Sequence, residues 1–229
     1  MRINMETIIQ LRDIHKSYGE LKVLKGIDLE LRKGEIISLT GPSGAGKSTL
    51  MHIIGTLDKP DVGDVKYHEV EILKFNDKML SEFRNKNIGF IFQFHHLLQE
   101  FTALENVCIP AYIAGKSKKE TEARAMQLLE MLSLGSRAEH KPSELSGGEQ
   151  QRVAVARSLI NNPEIILADE PSGNLDSENA FELHKLFFEL RDSLGIACVI
   201  VTHNEEFAKM ADRQFKMIDG RFVEVISRY

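Results

Sequence analysis

The chain has 229 residues, 42% of them hydrophobic and 28% charged, the balance of a globular protein that buries one sizeable core, which excludes disorder and fibrous repeats. Its 29 Lys and Arg against 34 Asp and Glu leave a formal charge of -5, with no electrostatic footprint for coating DNA or RNA. The two cysteines, Cys108 and Cys198, each lie in an apolar run and fit no metal-ligand spacing, so they read as reduced core thiols.

The opening stretch, MRINMETIIQLRD, holds two methionines that could start the chain, Met1 and Met5, and lacks the apolar core of a signal peptide. No stretch approaches the roughly 20 apolar residues that cross a bilayer. A cytoplasmic protein without direct membrane insertion is expected, held on a membrane only through another protein. Thr7 to Ile14 and Lys22 to Leu31 read as strands joined through Ser17-Tyr18-Gly19-Glu20, an antiparallel add-on completed by Asp61 to Val70. Four β-branched runs are the clearest strands: Ile36 to Leu39, Ile88 to Phe92, Ile165 to Ala168 and Cys198 to Thr202. Each gives way to polar or Gly-rich residues and then to helical spacing, the pattern of an α/β domain with a parallel sheet. Residues 94–160 switch to helical periodicity, including Lys118 to Leu132 and Gly147 onward, and read as a helical lobe inserted into an α/β core of 1–93 and 161–229, all within one domain. Lys116-Ser117-Lys118-Lys119 is a solvated basic cluster at a helix start. Ser177 to Ser193 and Glu205 to Met210 read as core-packing helices, and Arg213 to Val225 as a hairpin around Asp219-Gly220.

Open α/β sheets bind ligands beyond the carboxyl ends of their strands. The residues found there are Gly41 to Thr49, Gln93, Asp169 with Glu170, and His203. Gly41, Pro42, Ser43, Gly44, Ala45, Gly46, Lys47, Ser48 and Thr49 satisfy G-x-x-x-x-G-K-[ST] between a strand and a helix. Such a loop curls its N-H groups onto phosphate oxygens, Lys47 reaches the terminal phosphates, and Ser48 offers a hydroxyl to Mg²⁺. Asp169 and Glu170 end a buried strand, where two carboxylates are costly unless a cation or substrate compensates them. With a nucleotide nearby, Asp169 suits Mg²⁺ and Glu170 the water that attacks the γ-phosphate. Gln93 is expected to contact Mg²⁺ or that water, and His203 the γ-phosphate.

Leu145-Ser146-Gly147-Gly148-Glu149-Gln150 places a Ser-x-x-Glu capping box and two glycines at a helix start. The glycines weaken the helix but bare N-H groups at its positive end, a second anion site in one chain. Two copies could then close over nucleotide together. Whether Ser146 caps its own helix or turns to a phosphate stays open at this point.

These motifs, in this order, resemble the ATP-binding subunit of ABC transporters, and the likeness covers essentially the whole chain. It rests on Tyr18, Gly41 to Thr49, Gln93, Leu145 to Gln150, Ile165 to Glu170, Ser172-Gly173-Asn174-Leu175-Asp176 and His203. The resemblance implies a P-loop NTPase core with an antiparallel β add-on and an inserted helical lobe, binding ATP and Mg²⁺ and hydrolysing ATP. It implies that Tyr18 stacks on adenine. It further implies a homodimer in which Ser146, Gly147, Gly148 and Glu149 act on the partner's nucleotide and Asn174, Leu175 and Asp176 line the interface. Within the family, Phe92 to Val107 looks like the lipoprotein-releasing group, although Gln99 stands where that group usually has Pro. Leu167 to Asp176 looks like the wider group that also holds macrolide exporters and a cell-division ATPase, and these remain the alternatives. In such subunits residues corresponding to 94–107 receive integral membrane permease subunits on the cytoplasmic face of the inner membrane. The soluble relatives that act on DNA or ribosomes carry a long inserted coiled coil or a second cassette, and this chain has neither.

Overall fold

The computed structural model describes Glu6–Arg228; Met1 and Met5 lie outside the described residues. Two compact units make up the chain, one running to Ser81 and resuming at Phe188, the other Glu82–Phe187. In the first, β1 (Thr7–Tyr18) and β2 (Leu21–Arg32) form a long antiparallel ribbon whose inward residues, Ile9, Leu11, Ile14, Leu24 and Leu31, are buried. β1 extends through Ser17 and Tyr18, which the sequence assigned to the connection, so the turn is only Gly19-Glu20. β3 (Ile36–Thr40) carries Ile36, Ile37 and Leu39 at full burial. Its one polar inward group, the Ser38 hydroxyl, donates to the Ala208 carbonyl at 3.0 Å. α1 (Lys47–Ile54) follows directly, and Asp61 to Val70 resolves into β4 (Val62–Tyr67) and β5 (Val70–Glu71), broken where His68 takes a positive φ. The add-on sheet runs β2-β1-β4-β5.

α2 (Asp77–Asn87) leads from the first unit into the second and has no counterpart in the sequence reading. Only Leu80 is buried, so an apolar stripe is missing. The helix relies instead on the Asn76 carboxamide accepting from Met79 N-H at 2.9 Å, with Arg84 and Lys86 at the negative end of its dipole. The second unit then contains β6 (Ile88–Phe92), α3 (Ala103–Ile113), α4 (Lys118–Met131), α5 (Gly147–Leu159) and β7 (Ile165–Asp169). β6 and β7 pair in parallel, Ile88 opposite Ile165 and Phe92 opposite Asp169. α3 opens on a full capping box between Thr102 and Glu105. Its fully buried Asn106 organises the preceding loop, accepting from Leu98 N-H at 2.8 Å and donating to the carbonyls of Leu98, Phe101 and Thr102.

α6 (Ser177–Leu194) returns the chain to the first unit, followed by β8 (Ala197–Val201), α7 (Glu205–Met210), β9 (Arg213–Ile218) and β10 (Arg221–Ser227). β3 lies between β8 and β9, parallel to both, and β10 closes antiparallel on β9. With a parallel neighbour on each side, β3 is buried on both faces from Ile36 to Leu39 and does not alternate, and β8 is buried throughout.

Glu35 is clamped at the entrance to β3. Its wholly buried carboxylate accepts from Arg213 at 2.6 and 2.9 Å and from Arg32 N-H at 2.9 Å. Removing one partner of a buried pair strands the other charge, which costs about 3–5 kcal/mol. Glu35→Ala is therefore expected to lower the urea-unfolding free energy by about that amount, and a loss under 1 kcal/mol would show that the pair contributes little.

Candidate functional site

In the first unit, β3 delivers the chain into the phosphate loop. Gly41 has φ 138°, and a Cβ there would lie 2.0 Å from the Met217 carbonyl oxygen, so no side chain fits. The far side of the loop is tied as well: Gly220 N-H donates to the Ala45 carbonyl at 3.0 Å, and Lys25 N-H to the Gly220 carbonyl at 2.9 Å. The β9-β10 turn and β2 thus hold the loop from beneath. α1 starts at Lys47 with no side-chain cap and no acidic residue in its first turn. Its dipole end is therefore positive and its leading N-H groups suit an anion. Lys47 is 7% exposed. Its ammonium donates to the Gly41 and Pro42 carbonyls, both at 2.9 Å, and so spans the mouth of the loop. Ser48 is exposed on the first turn of α1. Tyr18 ends β1 half exposed, its hydroxyl donating to Asp58 at 2.6 Å. His203 follows β8 and is exposed.

In the second unit, the β6-β7 register sets Gln93 and Glu170 just past the paired residues Phe92 and Asp169. Glu170 has φ 47°, a left-handed backbone that costs a non-glycine residue about 1–3 kcal/mol and is retained only where its surroundings impose it. Gly173 N-H donates back to the Glu170 carbonyl at 3.0 Å, curling the chain into 170–176. There Gln93 and Asn174 bond reciprocally: the Gln93 amide donates to Asn174 Oδ1 at 3.2 Å and the Asn174 amide to the Gln93 carbonyl at 3.0 Å. Asp176 receives Asn179 N-H at 2.9 Å as the cap of α6, and this bond holds its carboxyl below the usual range. Ser172 and the buried His184 meet at 2.9 Å.

Ser146 caps its own helix. It accepts from Glu149 N-H at 3.3 Å, while the Glu149 carboxylate accepts from Ser146 N-H at 2.8 Å and from Arg137 at 3.1 Å. The backbone bond from Ser146 is the main reason the Glu149 carboxyl titrates low. Gly148 has a steric reason besides its bare N-H: a Cβ would fall 2.3 Å from Asn179 Oδ1. Further along α5, Arg157 donates to the His95 carbonyl at 2.7 Å and the His96 carbonyl at 2.8 Å, clamping the segment after Gln93 to the helix that Ser146 caps.

The first unit therefore ties Tyr18 to the helix that follows the phosphate loop, since Asp58, which accepts from the Tyr18 hydroxyl, donates its N-H to the His52 carbonyl of α1. The second unites Gln93 with Asn174 and Ser146 with Glu149. Asp58, Met217, Gly220, Arg157 and His184 carry no sequence motif and enter only through tertiary contact; Gly220 alone was visible, as a turn.

A family model described as ABC transporter matches residues 24–173. The lipoprotein-releasing system ATP-binding protein LolD of Bacteroides thetaiotaomicron is 62% identical over 213 residues, 93% of this chain and 98% of that protein. The protein of the same name from Porphyromonas gingivalis is 57% identical over 93% of this chain and 97% of its own length. Among solved structures, a dimeric ATP-binding cassette in a post-hydrolysis state with ADP and Pi aligns with a TM-score of 0.89 and 39% identity, covering 97% of this chain and 99% of that one.

Burial pushes the His184 imidazole down to about 4 from an ordinary 6.5. Between those values the unfolded chain takes a proton that the folded chain refuses, so this contribution to stability is complete above pH 6.5 and is lost as the pH falls toward 4. His184→Gln should shrink the drop in melting temperature between pH 7.5 and pH 5; an unchanged drop would place the acid sensitivity elsewhere. Arg157→Ala should speed amide hydrogen exchange in residues 95–101 while leaving β6 protected, and equal exchange in both proteins would show that the clamp does not order that segment.

Proposed function

The chain belongs to the ABC transporter family as an ATP-hydrolysing subunit, and on that premise we propose that it drives the release of lipoproteins from the inner membrane. The observation that carries this reading is the 57–62% identity to LolD proteins over more than nine-tenths of the chain. Among the described residues no helix is long and apolar enough to cross a membrane. The subunit acts on the cytoplasmic face, joined to integral permease subunits through the segment that follows Gln93. That segment exposes Phe94 at 66%, Leu98 at 45% and Phe101 at 41% while burying Leu97, Ala103 and Val107. Apolar side chains grouped in one short segment, in a loop braced by Asn106 and Arg157, suit a docked helix. Residues 94–160 serve as the helical subdomain that carries both this patch and the signature loop.

Nucleotide is bound by Gly41 to Thr49. The Lys47 ammonium exchanges the neutral carbonyls of Gly41 and Pro42 for charged phosphate oxygens, which make the stronger, charge-assisted bonds. Tyr18 supports the base. Ser48, Gln93 and Asp169 offer a hydroxyl, an amide oxygen and a carboxylate, hard oxygen donors of the kind Mg²⁺ selects. The bound ion would neutralise charge gathering on the phosphates. Glu170 takes the proton of the attacking water, its carboxylate aimed by the strained backbone beneath it, and His203 reads the γ-phosphate. Two copies form a homodimer in which Ser146 to Glu149 of each act on the other's nucleotide, with Asn174 to Asp176 along the interface. Capping and nucleotide contact are compatible for Ser146, because the cap uses an oxygen lone pair and leaves the hydroxyl proton to donate. ATP thereby stabilises the closed dimer, and hydrolysis resets it.

Lys47→Ala should abolish ATP hydrolysis; a variant working at the parent rate would overturn the site assignment. Glu170→Gln should keep ATP binding, slow hydrolysis by at least about 100-fold and yield a dimer that persists in Mg-ATP on size-exclusion chromatography. The cargo reading is tested by isolating tagged Glu170→Gln from gently solubilised native membranes with Mg-ATP. Two distinct permeases with large extracytoplasmic domains, together with lipoproteins, are the expected company. A single permease would point to the exporter or cell-division relatives, and ribosomes or DNA-bound proteins alone would end the transporter reading.

A further inference from the structure

We infer that Asp58, held by Lys16, positions the Tyr18 ring and so determines how tightly the purine base of the nucleotide is bound. This rests on the nucleotide site proposed above and extends it to two residues outside every motif of the chain. A half-exposed tyrosine at the end of a strand has no packing to choose one ring orientation, and a base that stacks on it must bear the entropy of ordering it. Here the hydroxyl is bound at 2.6 Å to one oxygen of Asp58. The other oxygen of that carboxylate accepts from the Lys16 ammonium at 2.8 Å.

Lys16 is itself anchored. It is 9% exposed, donates to the Lys59 carbonyl at 2.7 Å, and lies 3.8 Å from Asp61, whose carboxylate receives Ser17 N-H at 2.6 Å. Asp58 stays ionised because Lys16 and Tyr18 outweigh the burial that would raise its pKa. The Lys16 ammonium also stands 5.2 Å from the centre of the tyrosine ring, covering one face by a cation-π contact and leaving the base the opposite face. Asp58 is in turn tied to the helix that the phosphate loop opens, its N-H donating to the His52 carbonyl of α1 at 3.3 Å. Asp58 thus ties the base platform to the helix behind the loop that takes the phosphates, presetting the spacing between base and triphosphate.

A purely structural role for Asp58 would weaken every ligand alike, whereas a positioning role touches only ligands that have a base. The full-length chain is titrated with Mg-ATP and with Mg-tripolyphosphate, each displacing a fluorescent ATP analogue. Asp58→Ala and Tyr18→Phe, the second keeping the ring and losing only its anchor, should each weaken ATP by about 3- to 10-fold, the worth of one hydrogen bond, and leave tripolyphosphate unchanged. The double variant should bind ATP no more weakly than either single one, and Asp58→Asn, still an acceptor for the hydroxyl, should recover part of the loss. Equal weakening of both ligands, or additive losses in the double variant, overturns the inference. If Tyr18→Ala leaves ATP affinity intact while Lys47→Ala destroys it, the base lies elsewhere and only this inference falls. If Lys47→Ala binds ATP normally, the nucleotide-site reading falls, and the inference with it.

Discussion

The Met217 carbonyl lies so close beneath Gly41 that the backbone there admits no Cβ, and the shape of the phosphate loop follows from that contact. A loop that is to point several N-H groups at one anion gives up the hydrogen bonds those groups would make in a helix or sheet, so its shape has to come from outside. In this chain the support is the β9-β10 turn with β2: Gly220 to Ala45, Lys25 to Gly220. The Glu35-Arg213 pair fixes the start of β9 against the start of β3, and those two strands set the distance between the loop and the turn beneath it. Core, buried ion pair and loop form one mechanical unit.

The second unit has a different economy. Its functional segments are short, polar and largely on the surface, so hydrophobic burial cannot order them. Local bonds do so instead: Gln93 with Asn174, Asp176 with the first turn of α6, Ser146 with Glu149, Ser172 with His184. Glu170 is one of four non-glycine residues of this unit with a left-handed backbone, beside His96, Ser133 and Asn162, and it directly follows the last paired residue of β7. Strain next to a rigid strand can persist, where strain in a free loop would relax.

Much of this was legible in the sequence, for physical reasons. Buried parallel strands must be apolar throughout, so β3, β6, β7 and β8 stood out to within a residue, and the phosphate loop announced itself because its geometry demands glycines at fixed spacing. α2 was invisible because it buries a single residue and leans on Asn76 and its charged end. Tyr18 was assigned to a turn because Gly19 follows it, while pairing with β2 keeps it in the strand. Of the residues that support the site, only Gly220 was legible, as a turn. Asp58 looks like any aspartate in a turn, Arg157 like any basic residue late in a helix, and what distinguishes them is the partner that folding brings from tens of residues away.

The acceptors of Arg157 are the main-chain carbonyls of His95 and His96. A link made to the backbone is indifferent to the side chains at those two positions. The exposed side chains of this segment can therefore change their chemistry, residue by residue, while its mechanical connection to the helix behind Ser146 persists. Asn106 and Arg157 grip the peptide groups of this stretch, so its shape rests on main-chain bonds and not on its exposed side chains Phe94, Leu98 and Phe101.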